Sequence, residues 1–473
     1  MSAATGTYAF QTVTELAPLL RQRRLSPVAL AEEALDRAER IGPGLNAIAT
    51  LLRDRALERA RNAESTLQSG HGRGPLHGVP WGAKDLLAVA GAPTEWGAAP
   101  CRGQRFDHDA TVVRRLDDAG AVLIGKLAMV EFAGCLGYRW PSASITGPGR
   151  NPWDRSRWTG GSSSGSGAAV SAGIVPFAIG TETWGSILCP SAFCGLTGVR
   201  PTYGRVSRAG GMVGAFTFDK IGPLAHSAAD CRVILEAISG LDPDDPTSAD
   251  QPASLPRGRQ NLRKLRVALV EPDWTKTKGA EPEVHDAFIA ALETVRAIGL
   301  TPETATLPKA PVSEVAGTLI TVEALSTFER FYRDGSVKQL QDPYAPYQME
   351  INRSVTGADV VKAWRIRRVI QESIQEFFTR WDVIVAPNFL SVAPPVDKDL
   401  YETLPYPDPV GGFGAACGLP AIGFPCGFGK GGLPASMQVM GPPWSEALLL
   451  DIAEAFQAKT NFHRERPPEF AAD

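Results

Sequence analysis

Apolar positions recur at helical spacing across residues 12–70. Leu16, Leu19 and Leu20 share a face, Ser26 before Pro27 reads as an N-cap with proline at the first helical position, and residues 28–38 continue the period. A third helical stretch covers residues 51–67, and the Arg and Glu residues on these helices read as solvated faces. At Pro75 the texture changes. Residues 76–90 are apolar and β-prone, with one Lys84-Asp85 pair in their middle. A lysine in such a run either snorkels to the surface or is buried for chemistry, and the pattern leaves both open. A helix is predicted over 109–119, a strand over 122–125, a further element beginning at 129–132, a small-residue buried helix over 168–173 and a strand over 175–179. Residues 200–208 read as turns leading into a glycine loop at 210–214. Beyond a Pro- and Asp-rich stretch at 242–260 the alternation restarts. Strands are predicted in 266–270, 381–387, 421–424 and 435–440, and helices up to 297, over 311–333, 357–380 and 445–459. Alternating helices and strands with no internal repeat predict an α/β fold.

Composition narrows the class. The chain has 473 residues, 44% of them apolar and 21% charged, with a net charge of −3 spread along its length. That is an ordinary globular balance, with no electrostatic footprint for nucleic acid or a membrane surface. Residues 1–15 have neither the basic start nor the apolar core of a signal peptide, and no apolar run approaches the roughly 20 residues of a membrane span. A cytoplasmic location is expected. Seven scattered cysteines read as reduced packing residues, and six histidines without metal-like spacing predict no metal and no cofactor.

The densest chemistry lies in residues 158–186, where two hydroxyl-bearing turns are joined by a short small-residue segment. Ser162, Ser163, Ser164 and Ser166 sit among glycines that let the backbone turn tightly and bring its N–H groups close to a ligand. A flexible linker is disfavoured because both flanks read as buried elements, and a P-loop because no Lys-Ser or Lys-Thr pair follows the glycines. Gly161-Ser162-Ser163-Ser164-Gly165 matches the elbow of the α/β-hydrolases with Ser163 as nucleophile. That motif needs a strand before it, and residues 150–157, with a proline and four charges, make a poor buried one.

Lys84 and the paired turns resemble the amidase signature family of serine hydrolases, nearly end to end. The motifs are Gly78-Val-Pro-Trp-Gly-Ala-Lys-Asp85, Gly149-Arg-Asn-Pro-Trp-Asp-Arg-Ser-Arg157, Gly160-Gly-Ser-Ser-Ser-Gly-Ser166, Gly180-Thr-Glu-Thr-Trp-Gly-Ser186, Phe193-Cys-Gly195, Pro201-Thr-Tyr-Gly-Arg-Val-Ser207 and Gly418-Leu-Pro-Ala-Ile422. The resemblance implies a central mixed β-sheet covered by helices on both faces. It also implies one amidase-type domain, with a helical N-terminal region at 1–70, a catalytic core at 75–235, a linker-like loop at 242–260 and a C-terminal α/β part at 261–473. Ser186 would be the nucleophile, Ser162 the bridging serine after a cis peptide, and Lys84 the base. The 24 residues separating Ser162 from Ser186 are the family's spacing and select Ser162 from the serine run. Backbone N–H groups of Thr183, Trp184, Gly185 and Ser186 would form the oxyanion hole.

Four positions depart from the family pattern. Trp184 stands for glycine, Ser164 for another glycine, Glu182 for aspartate and Leu188 for arginine. The last two read as a charged pair lost together. The chemistry itself is general: a serine hydroxyl needs a base within reach, and lysine serves only if its pKa, near 10.4 in water, is lowered by desolvation or by a neighbouring positive charge.

Met129, Tyr138, Trp140, Trp184, Met212 and Phe216 are expected to form an apolar or aromatic substrate pocket. They point to an amidase acting on a small neutral amide, anilide or carbamate, with a small-molecule amide or carbamate as its only partner, no nucleic acid, no membrane, and a monomeric or homodimeric state. One alternative is the glutaminase subunit of a tRNA-dependent amidotransferase, which is similar over much of the chain and needs partner chains and a polar, carboxylate-binding pocket. The other is an α/β-hydrolase-like esterase using Ser163.

Overall fold

The computed structural model describes residues 8–258, 260–404 and 408–471. The first seven residues of the expected N-terminal region, and residue 259 of the linker-like stretch, lie outside these. Three helices open the chain: α1 (Val13–Arg21), α2 (Pro27–Leu45) and α3 (Arg53–Gln68). Thr12 caps α1 in a reciprocal box with Glu15, and the Ser26 hydroxyl accepts from the amides of Val28 and Ala29 at the start of α2. A strand, β1 (Ile48–Leu51), lies within the 12–70 region that periodicity reads as helical stretches, just before the third of them. Four residues are too few to show a period of two.

The remaining strands are β2 (Pro80–Lys84), β3 (Val122–Leu127), β4 (Arg150–Asn151), β5 (Asp154–Trp158), β6 (Phe177–Glu182), β7 (Thr197–Arg200), β8 (Lys220–Ala225), β9 (Val267–Leu269), β10 (Pro302–Thr304), β11 (Val383–Pro387), β12 (Ala421–Phe428) and β13 (Pro434–Met440). Eleven of the thirteen strands among the described residues form one mixed sheet in the order β1-β3-β2-β6-β8-β7-β12-β13-β11-β9-β10. Strand β2 runs parallel to both β3 and β6, and β9 runs parallel to β10 and β11; the other pairings are antiparallel. Leu123 of β3 and Phe177 and Ile179 of β6 enter one apolar cluster, while their neighbours Val122, Ile124 and Ala178 enter another. That alternation is the strand's period of two, so helices cover the sheet on both faces. The fold is the α/β architecture with a mixed central sheet.

Two further features were not legible as elements. The turn-rich 200–208 segment follows β7, and β8 begins just after the glycine loop. The Pro- and Asp-rich 242–260 stretch is anchored to the body: Asp242 accepts from the hydroxyls of Thr111 and Ser207, and Asp245 from the amide of Arg208. Short acidic side chains satisfy backbone and hydroxyl donors, so this stretch is pinned despite its linker-like composition.

Strands β4 and β5 form a separate two-stranded sheet, with one isolated bridge from Arg157 to Pro395 among the described residues, and Asp154 to Ser156 are exposed. The buried strand that an α/β-hydrolase elbow requires is therefore absent before Ser163. The parallel strands β2 and β6 end side by side at Lys84 and Glu182, and their carboxyl ends open onto the two serine turns.

Candidate active site

Burial of β2 dictates the state of its last residue. Lys84 has no exposed surface, and its Nζ donates to Ser162 Oγ at 2.8 Å and to Thr181 Oγ1 at 2.9 Å. Desolvation pulls its pKa down to about 7, against weaker upward pulls from Cys135, Asp219 and Glu182. Of the two readings left open for this lysine, the structure has the buried one.

Ser162 follows a cis peptide from Gly161, and its carbonyl accepts from the amide of Val130. Ser164 begins helix α4 (Ser164–Ser171), which is buried throughout. The Ser163 hydroxyl is engaged on both sides, donating to the Thr181 carbonyl at 3.2 Å and accepting from the Thr181 amide at 3.3 Å. Its amide donates to the Ser186 carbonyl at 3.3 Å, which ties the two turns together. Ser163 thus braces the site, and the elbow reading is corrected on geometry. Among the described residues no direct hydrogen bond joins the hydroxyls of Ser162 and Ser186. Such contacts commonly tighten only when substrate is bound.

Ser186 lies between β6 and helix α5 (Leu188–Phe193). Gly185 beside it has φ +85°, so the left-handed turn falls on the glycine and Trp184 escapes it. The Trp184 ring packs with an apolar cluster that includes Leu188, Ala215, Phe218 and Val312. The charged pair read as lost is rebuilt from another strand. Glu182 Oε1 accepts from Arg200 Nη1 at 2.9 Å with both side chains fully buried, and Glu182 Oε2 accepts from the amides of Ile187 and Leu188 at 2.8 and 3.0 Å. Burial works to raise the Glu182 carboxyl, but Arg200, Lys220 and the amides of Leu188 and Ile187 together outweigh it and hold the group below its usual range. A carboxylate is thereby anchored one residue beyond the nucleophile.

The six nominated pocket residues do not form one wall. Met129 is fully buried in the core, and Tyr138 packs edge-on to Trp158 with ring centroids 6.1 Å apart. The Trp140 amide donates to Asp342, and Phe216 is 51% exposed beneath the Arg208 guanidinium. Met212 does face the site, lining a small cavity with Leu86, Thr181, Thr183, Asp219 and Lys220. Sequence reasoning missed Thr181, Arg200, Asp219 and Lys220. Thr181 alone carried a signal, lying two residues from the expected end of a buried strand. Among the described residues no group of three His, Cys, Asp or Glu side chains is placed to hold a metal, all seven cysteines are free, and no helix is long and apolar enough to cross a membrane.

The model of the Amidase family matches residues 29–450. The chain belongs to the amidase signature family. It is 36% identical over 492 residues to a subunit of the glutamyl-tRNA(Gln) amidotransferase of Aromatoleum aromaticum, covering 96% of this chain and 98% of that protein. It is 37% identical over 502 residues to the like-named subunit from Cupriavidus necator, with the same coverage. Among solved structures it resembles the peptide amidase of Stenotrophomonas maltophilia, at a TM-score of 0.84 and 31% identity over 98% of this chain and 99% of that one. A bacterial aryl acylamidase shares the fold, at a TM-score of 0.85 and 22% identity over 96% and 98% of the chains.

This amidase acts on carbon–nitrogen bonds. The expectation of a small neutral amide, anilide or carbamate substrate is overturned by the near-full-length likeness to amidotransferase subunits. With it falls the expectation of small-molecule partners only, without nucleic acid, in a monomer or homodimer. The physical reason is visible at the site: the aromatic and methionine side chains behind that expectation are dispersed, Met129 to the core, Phe216 to the surface, and only Met212 onto the cavity beside Thr181.

Proposed function

We propose that this amidase releases ammonia from the side-chain carboxamide of glutamine, as the glutaminase subunit of a tRNA-dependent amidotransferase working with partner chains in the cytoplasm. The observation that carries the reading is 36–37% identity to such subunits across 96% of the chain. A group of unmet acceptors supports it. Asp408 Oδ1 accepts from the amides of Val410 and Gly411 and from Gln438 Nε2, whereas Asp408 Oδ2, Asn388 Oδ1 and Gln438 Oε1 are buried without a hydrogen-bond donor. The helix that begins just after Asp408, Gly411–Cys417, reaches the Trp184 ring: a Cβ on Gly412 would sit 3.5 Å from Trp184 Cζ2. Buried acceptors lacking donors favour a polar over an apolar lining on this side of the Trp184 ring.

In the mechanism, neutral Lys84 takes a proton from Ser162 Oγ as Ser162 takes one from Ser186 Oγ. Ser186 Oγ bonds to the amide carbon, and the oxyanion is met by backbone N–H groups of residues 183–186. The proton returns to the nitrogen as the C–N bond breaks, releasing ammonia and leaving an acyl ester on Ser186. Water then attacks that ester, giving its proton to the same relay and freeing the carboxylate. An oxyanion donor of this kind contributes about 3–4 kcal/mol where one has been removed.

Likeness to a peptide amidase favours a second reading, in which the same chemistry acts on the C-terminal carboxamide of a peptide without partner chains. Two measurements separate them: affinity purification of the protein from its native cell, and ammonia release from glutamine and from a peptide amide. Co-purifying amidotransferase chains and glutamine turnover are expected. A lone chain that cleaves only the peptide amide overturns the first reading in favour of the second.

A further inference from the structure

Lys220 is a second buried lysine that the mechanism leaves unused. It opens β8 directly opposite Glu182, the last residue of β6, and only 2% of its surface is exposed. Its Nζ donates to the carbonyl of Thr183 at 3.1 Å. That carbonyl belongs to the same peptide unit as the N–H of Trp184, one of the proposed oxyanion donors. The neighbouring Asp219 grips the turn from the other side. Its Oδ1 accepts from the Thr183 hydroxyl, and its Oδ2 accepts from the amides of Gly214 and Ala215 at 2.8 and 2.9 Å. Lys220 and Asp219 both face the small cavity that Thr181, the hydrogen-bond partner of Lys84, also lines.

We propose that Lys220 is a positioning residue for the oxyanion hole: held beside Asp219, it fixes the Thr183–Trp184 peptide and, when protonated, polarises it so that the Trp184 N–H becomes a stronger donor to the developing oxyanion. The physical basis is cooperativity. A cation bound at one end of an amide draws electron density toward its oxygen and leaves the N–H at the other end more positive. In a buried site this acts without reorganisation during the reaction. The inference rests on the reading of Ser186 as the acylated residue and holds whichever amide is the substrate.

The surroundings of Lys220 set the pH range. Burial lowers its pKa to about 7, with Arg200 from β7 and Arg367 from the helix Gly357–Arg380 acting the same way, and Glu182 and Asp219 acting against them. Arg208, on the turn that also lines the cavity, is turned away toward Tyr203, Thr247 and the Phe216 carbonyl. Lys84 must lose its proton to act and Lys220 must keep its own. Their opposite requirements give reaction at Ser186 a rise and then a fall with increasing pH.

The test follows modification of Ser186 by a fluorophosphonate, read by intact mass between pH 6 and 9.5, in the wild type, Lys220→Met and Lys220→Gln, with thermal melting to establish folding. Met removes both donor and charge, while Gln keeps a neutral donor. The Met variant is expected to react about tenfold more slowly, a fraction of the roughly hundredfold cost of deleting an oxyanion donor outright. The Gln variant is expected to fall between, and both to lose the alkaline decline. If Met does not fold, the pH profile of Gln against the wild type decides alone. Folded variants with wild-type rates and profiles overturn the role of Lys220. Absence of labelling at Ser186 in the wild type overturns the site reading beneath it.

Discussion

Lys84 is the residue on which the site's chemistry turns. Ordinary lysine is protonated throughout the neutral range and cannot accept a proton from a hydroxyl; complete burial brings this one to about 7, where the neutral form is accessible. Its two short contacts, to Ser162 and Thr181, aim it. The active form is the deprotonated one, so Lys84 supplies the rising acid limb of turnover as pH approaches about 7, ahead of the alkaline fall assigned to Lys220, measured as initial ammonia release across a buffer series. Replacing Lys84 with Ala should cost on the order of a thousandfold in kcat while the variant still folds, as judged by circular dichroism. A folded Lys84→Ala that keeps most of its activity rules this base out. The lysine was visible in the sequence because a charge inside an apolar run is conspicuous. Its partner Thr181 carried only a positional signal, just past the end of an expected strand, because a threonine there is chemically unremarkable.

At the scale of elements, the junction of β6, β7 and β8 fixes the nucleophile's turn. Arg200 neutralises Glu182, and Glu182 in turn holds the amides of Ile187 and Leu188 just beyond Ser186. Truncating Arg200 to Ala leaves a carboxylate buried and unpaired, so a loss of about 3–5 kcal/mol is expected in urea unfolding. Wild-type stability in that variant contradicts the pairing as a structural necessity. Reading Glu182 and Leu188 along the chain, one sees two substitutions and infers a missing pair. The guanidinium comes from a strand that is not even adjacent to β6 in the sheet, and linear order carries no information about that. The helices α2 and Gly357–Arg380 and the strands β2, β3, β11 and β13 were legible because period, cap and apolar run agree. Strands β1, β7 and β8 were not, being short or following turn-rich sequence whose tertiary pairing decides their state.

For the molecule as a whole, the sequence motifs identify a family and the sheet arranges them, but neither alone names the substrate. Aromatic and methionine side chains near the motifs suggested an apolar pocket, and in the fold most of them are core or surface. Near-full-length similarity to amidotransferase subunits redirects the reading toward glutamine and partner chains, and the unmet acceptors at Asp408, Asn388 and Gln438 give it a chemical counterpart. Both the glutamine and peptide-amide readings share one claim, that a primary carboxamide loses ammonia through an ester on Ser186. The most direct measurement is ammonia release from glutamine and from a peptide amide by the wild type and by Ser186→Ala, with and without co-purified partner chains. The account predicts ammonia from the wild type and a loss of roughly a thousandfold or more in the variant, as expected for removal of a nucleophile. Equal release by the two proteins, or none from either substrate by the wild type in the presence of its partners, would contradict it.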